Sequence, residues 1–142
     1  MEHLDRPDEA VWDERRLWFE GREAAAARAG APAPSEQACA LMIDLQAVFC
    51  AGAWSAAVIL AAAVIDCQAH TSGTRDSDTP HGLDAEAWRW LRALRNRLVH
   101  EDRSNPALTI EDQWQRRSEW ERHARRAVEA AFAVLYPGAS PR

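Results

Sequence analysis

Three residues near the middle of the chain can do chemistry together: Arg95, Asn96 and His100. They lie in the stretch Trp88-Arg89-Trp90-Leu91-Arg92-Ala93-Leu94-Arg95-Asn96-Arg97-Leu98-Val99-His100. Imidazole titrates near neutrality, so His100 can take up or return a proton at physiological pH. Guanidinium stays charged, and its planar fork matches a phosphate. Together they suit cleavage of RNA by its own 2′-OH, His100 assisting proton transfer and Arg95 neutralising charge that grows on the phosphate. Asn96 can orient either group or cap the end of a helix. Arg92, Arg97 and Arg103 surround them as candidate RNA contacts. From Arg89 to Arg103, five Arg stand against Glu101 and Asp102, a local excess of +3. One histidine is thin for both acid and base roles, and a two-fold dimer would supply a second.

The same stretch must also fold. Leu91, Leu94 and Leu98, with Trp88 one turn before, follow helical spacing, so core and chemistry share one helix. On an ideal helix Arg95 sits about 40° round from Leu91, and His100 roughly 140° further still. They cannot face one ligand on an undisturbed helix. Either the helix unwinds near Val99, or the two side chains work across a subunit boundary. Pro106 disfavours helix at Asn105, so an end near His100 is expected. The plainer alternative for both residues is a salt bridge and a cation at a helix C-terminus.

Arg95-Asn96, three residues, then His100 resembles the Arg-Asn-x3-His signature of HEPN domains, small all-helical domains found in RNases and toxin–antitoxin pairs. Upstream, Gly52-Ala53-Trp54-Ser55-Ala56-Ala57-Val58-Ile59-Leu60, closing on Val64-Ile65-Asp66, resembles the second core helix of that family. The likeness covers about Ser35 to Tyr136. It implies an all-α, HEPN-like four-helix bundle core with an extra N-terminal helix. It further implies a homodimer formed through the motif, metal-independent RNase chemistry in a toxin–antitoxin or phage-defence setting, and a nucleotidyltransferase-type antitoxin as partner. A non-catalytic binding or assembly module of the same family is the alternative, because fold does not fix function. Some toxin RNases of the family carry a Tyr two residues after the His; here that position is Asp102.

The 142 residues are enough for one domain with a real core and no metal or disulfide staple. They divide as 1–34, an N-terminal helix and connector; 35–137, the bundle; and 138–142, a tail. Three cysteines without a CxxC spacing are expected to be reduced thiols in a cytoplasmic protein. Cys39 and Cys50, eleven apart on nearly one helical face, are expected in the core. There is no Lys, and the net charge of −5 argues against a non-specific nucleic-acid coat. One basic strip on an acidic protein still permits selective phosphate binding. Ala47 to Ile65 runs 19 residues without a charge. It is Ala-rich, bracketed by Asp44 and Asp66, and has no flanking Lys or Arg, so no membrane span is expected. The N-terminus does not read as a signal peptide. Cys67, His70 and His81 are three metal-ligand types, one in a loop, and fall short of a four-ligand site; no metal or cofactor is expected.

Along the chain, Asp5 and Pro7 read as the start of a first helix with Val11, Trp12, Trp18 and Phe19 as its apolar stripe. Gly30 is its stop and Ala31-Pro32-Ala33-Pro34 a stiff connector. This helix reads as a cover for a core edge or as an interaction arm. Ser35 caps a second helix with Leu41, Leu45 and Val48, which Gly52 breaks. A third, nearly all apolar, runs from about Ala53 to Ala69. Asp66, near its end, either pairs with an Arg of the motif or sits in solvent. Thr71 to Gly82 is a polar loop, expected as a mobile flap beside the site. Asp84 caps the motif helix. Thr109 and Asp112 form a capping box for one last helix, with Trp114, Trp120, Ala124, Ala127, Val128, Ala131 and Leu135 inward. Arg116, Arg117, Arg122, Arg125 and Arg126 cover the rest of it, either a solvated face or an extension of the basic strip.

Overall fold

The computed structural model describes residues 6–27, 34–75 and 78–138, which form helices and no strand. The elements are α1 (Glu9–Ala27), α2 (Glu36–Ala51), α3 (Trp54–Thr71), α4 (Ala85–Val99), α5 (Ile110–Gln115) and α6 (Arg117–Leu135). Local chemistry sets most of the ends. The Ser35 hydroxyl accepts the Ala38 N–H at 3.1 Å, and the Asp84 carboxylate accepts that of Ala87 at 2.7 Å. Each satisfies one of the orphan donors that a helix start exposes. Thr109 and Asp112 form the reciprocal box. Gly52 closes α2 at φ 80°, in the left-handed region where an L side chain is strained.

Two arginines from distant elements complete that turn. Arg15 of α1 donates to the Cys50 carbonyl at 3.1 Å, and Arg117 of α6 donates to the Gly52 carbonyl. Both guanidinium groups also lie over the Trp54 ring, at 4.7 and 5.8 Å. The Val48 and Phe49 carbonyls accept the Ala53 and Gly52 N–H of the turn itself, and the neighbouring helices satisfy the Cys50 and Gly52 carbonyls.

α3 is the most central element. It packs chiefly against α2 and α6 and buries Trp54, Ala57, Val58, Ala61, Ala62, Val64 and Ile65. Among the described helices it alone is long and apolar enough to cross a membrane. Its alanines let α2 and α6 approach closely, and α4 lies beside it with Trp88, Leu91 and Leu94 buried. α1 is part of this core. Phe19 is 1 % exposed, edge-on to Phe132 at 5.0 Å and tilted against Phe49 at 5.9 Å. Burial of that ring contributes about 1.5–3 kcal/mol. α1 therefore covers the core edge.

Four local expectations change. The α1 cap is Asp8, whose carboxylate accepts the Val11 N–H at 2.9 Å; Asp5, Gly30 and Ala31 to Ala33 lie outside the described residues. The last helix is two, separated at Arg116. Trp114 is 54 % exposed while Trp120 is buried. The break at Arg116 puts Trp114 on the short α5, which buries none of its residues, while Trp120 lies on α6 against the core. Cys50 is buried but Cys39 is exposed. Cys39 lies at the rim of a small cavity beside Tyr136, one position round from the buried Ala38–Met42–Leu45–Phe49 stripe of α2.

Candidate functional site

α4 keeps its helix through Val99 and stops, with His100 as its C-cap at φ −124° and its N–H on the Asn96 carbonyl at 2.9 Å. The following turn is held by Asp102, whose carboxylate accepts the Ser104 N–H at 3.0 Å and hydroxyl at 2.7 Å. Those bonds, helped by the field of Arg97, hold the Asp102 carboxyl below its ordinary value. His100, Asn96, Arg97 and Arg103 are all exposed.

Arg95 points elsewhere. Its Nη1 meets Asp66 Oδ2 at 3.4 Å, so the charge that ends α3 is paired with the motif. Arg95 is half-buried, and its Nε is enclosed without an acceptor among the described residues. One turn earlier the Arg92 guanidinium lies 5.7 Å over the Trp88 ring. Trp88, Arg92, Arg95 and Asp66 line an open cleft of about 1130 Å³ between α4, the end of α3 and the start of α2. The Trp88 Nε1 is also buried without an acceptor among the described residues. A buried N–H left unmade costs about 1–3 kcal/mol, a local cost carried by this wall.

The cleft therefore joins Arg95, Arg92 and Asp66 and leaves out His100, Arg97 and Arg103. The imidazole it does contain is His70, one turn beyond Asp66 on α3. Cys67 lines it too, while His81 does not. Among the described residues no three His, Cys, Asp or Glu side chains group as metal ligands. Thr74, Arg75, Asp78 and the buried Pro80 bring the loop to the cleft edge.

A second histidine in an arginine cluster escaped the reading of the sequence. His123 of α6 lies 5.2 Å from Trp120 and 5.8 Å from Trp90 of α4. Burial, then the charges of Arg122, Arg126 and Arg116, push it below the ordinary imidazole value; Glu119 at 3.9 Å opposes them. The run Arg122-His123-Ala124-Arg125-Arg126 was visible. Its pairing with Trp90 was not, because it depends on how α4 crosses α6.

No protein family, curated protein or solved structure compared with the chain matches it.

Proposed function

We propose that the chain is a HEPN-type endoribonuclease acting as a homodimer, with α2, α3, α4 and α6 as the four-helix core and α1 added to it. One observation carries this reading: a core helix stops directly before His100, leaving it exposed, while Arg95 on the same helix is held by Asp66 in a cleft wall. The 2′-oxygen attacks phosphorus, and the bond to the 5′-oxygen breaks. One His100 accepts the 2′-proton and the His100 of a second copy donates a proton to the leaving oxygen. Arg95 stabilises charge on the phosphate. A nucleotidyltransferase-type antitoxin is the partner that this reading brings with it.

A non-catalytic binding or assembly module is the second reading. The observation that favours it is that His100 does not line the cleft of Arg95 within one chain. Incubating the protein with single-stranded RNA and DNA in EDTA separates the two. The RNase reading expects cleavage of RNA alone, with 2′,3′-cyclic phosphate ends, because DNA lacks the attacking hydroxyl. It also expects a dimer in sedimentation at micromolar concentration. His100→Ala should abolish cleavage and His70→Ala should not. The reverse pattern, or a monomer, would sink the shared cleft.

A further inference from the structure

Two sets of arginines in this chain differ in what they touch. Those facing α1, α2 and α5 are engaged: Arg16 with Asp13 and Glu20, Arg22 with Glu129, Arg116 with Asp112 and Glu119, Arg125 with Glu121. On the side formed by α4 and α6, Arg97, Arg122 and Arg126 have no carboxylate within 4.0 Å among the described residues. The Arg126 guanidinium instead lies over the Trp90 ring, 4.0 Å from its centroid. A cation over an aromatic face keeps its full charge, and the N–H fork in its plane stays available. Arg126 is exposed, so its outer face is open. Arg122 stands one turn before it on α6, and Arg97 two turns beyond Trp90 on α4.

We propose that this α4–α6 face binds single-stranded RNA, with one base stacked on the Arg126 guanidinium held by Trp90, and neighbouring phosphates on Arg122 and Arg97. The proposal rests on the RNase reading and names the surface that holds its substrate outside the Arg95 cleft. A single strand is required because a duplex hides the faces of its bases. Bases splayed from a single strand stack on aromatic rings and on arginine planes alike. His123, 5.8 Å from Trp90, adds a second aromatic ring to this face.

The test uses the full chain and a labelled 2′-O-methyl oligonucleotide, which cannot cleave itself. Arg126→Lys keeps the charge and removes the plane. It should weaken binding roughly tenfold, as loss of one stacked base does, while leaving the salt dependence unchanged. Arg122→Ala with Arg97→Ala should weaken binding and also flatten the slope of log K against log salt by about 1.4, the share of two single-strand phosphates. Arg16→Ala with Arg22→Ala, the same charge removed from α1, should change neither. Wild-type binding by Arg126→Lys overturns the proposal, as does equal weakening by the α1 pair or equal affinity for a duplex. If wild-type protein still cleaves RNA in that event, the RNase reading stands and only the face is lost. If it neither cleaves nor binds RNA, both fail.

Discussion

The α1 side and the α4 side use the same residue type for opposite ends. Around α1, arginine is a structural part. Arg15 and Arg117 close the end of α2, and Arg125 lies over Trp18 and Phe49 at 4.6 and 5.3 Å while bonding Glu121. Tyr136 joins in by donating to Glu23 at 3.1 Å, and burial with that carboxylate pushes its hydroxyl up to about 12. Around α4, the guanidinium groups of Arg97, Arg122 and Arg126 reach solvent without an ion pair among the described residues. Arg95 stands between the two: paired with Asp66, yet in a cleft wall and with one N–H unsatisfied. In a protein of net charge −5, three arginines of α4 and α6 thus stand exposed with no carboxylate within ion-pair distance among the described residues.

If α1 belongs to the core, removing its anchor should be the most costly change. Phe19→Ala should lower stability by about 3–5 kcal/mol, the usual loss for a buried Phe, measured by denaturant unfolding. A loss under about 1 kcal/mol, the range of an ordinary surface change, would make α1 an attached arm instead. Next comes the chemistry. Arg95→Ala should lower single-turnover RNA cleavage by roughly 10²–10³, and Arg95→Lys should recover little of it. Arg97→Ala, two residues on and exposed, should weaken RNA binding but leave turnover at saturating protein near the wild-type value. Equal small losses at Arg95 and Arg97 would reduce the motif to general positive potential. A much smaller effect is expected on the α1 side. Arg16→Ala breaks two exposed pairs, and such pairs are worth about 0–1 kcal/mol, so its unfolding midpoint should barely move.

What the sequence disclosed was what short stretches decide alone. Ser35, Gly52, Asp84 and the Thr109–Asp112 box each act within four residues, so they mark their helix ends without any tertiary information. The apolar run of α3 and the Leu91–Leu94–Leu98 stripe show period and content in the same way. The halt of α4 at Val99 followed from Pro106 and polar neighbours. Facts that depend on crossing helices were hidden. Asp66 had two readings until α4 lay beside α3. Cys39 and Cys50 share a face, but the core covers Ala38 and leaves Cys39 beside it exposed, while the turn at Gly52 lies over Cys50. Apolar content extends the last helix back to Trp114, but the break at Arg116, invisible in that pattern, leaves this ring on α5 away from the core. The cleft has its own imidazole in His70, which was weighed only as a metal ligand.

The smallest expected effect probes the junction where the basic face meets the core. His123 is 30 % exposed at the side chain and stands beside Trp90 and Trp120, with Glu119, Arg116, Arg122 and Arg126 acting on it. Burial is the main reason that its folded value lies below the ordinary 6.5. The unfolded chain therefore binds this proton more readily than the folded one. Its contribution to stability is complete above pH 6.5 and is lost as pH falls through the folded value. His123→Gln removes the titration while keeping a side chain of similar reach. Between neutral pH and about pH 5, a window set by the ordinary imidazole range, wild type should lose more stability than the variant does, read as the difference between their unfolding midpoints at each pH. Arg126→Ala should shrink that difference, since one of the charges opposing protonation is gone. An identical pH response in wild type and His123→Gln would mean that this imidazole stays open to water, and that α4 and α6 do not close over it.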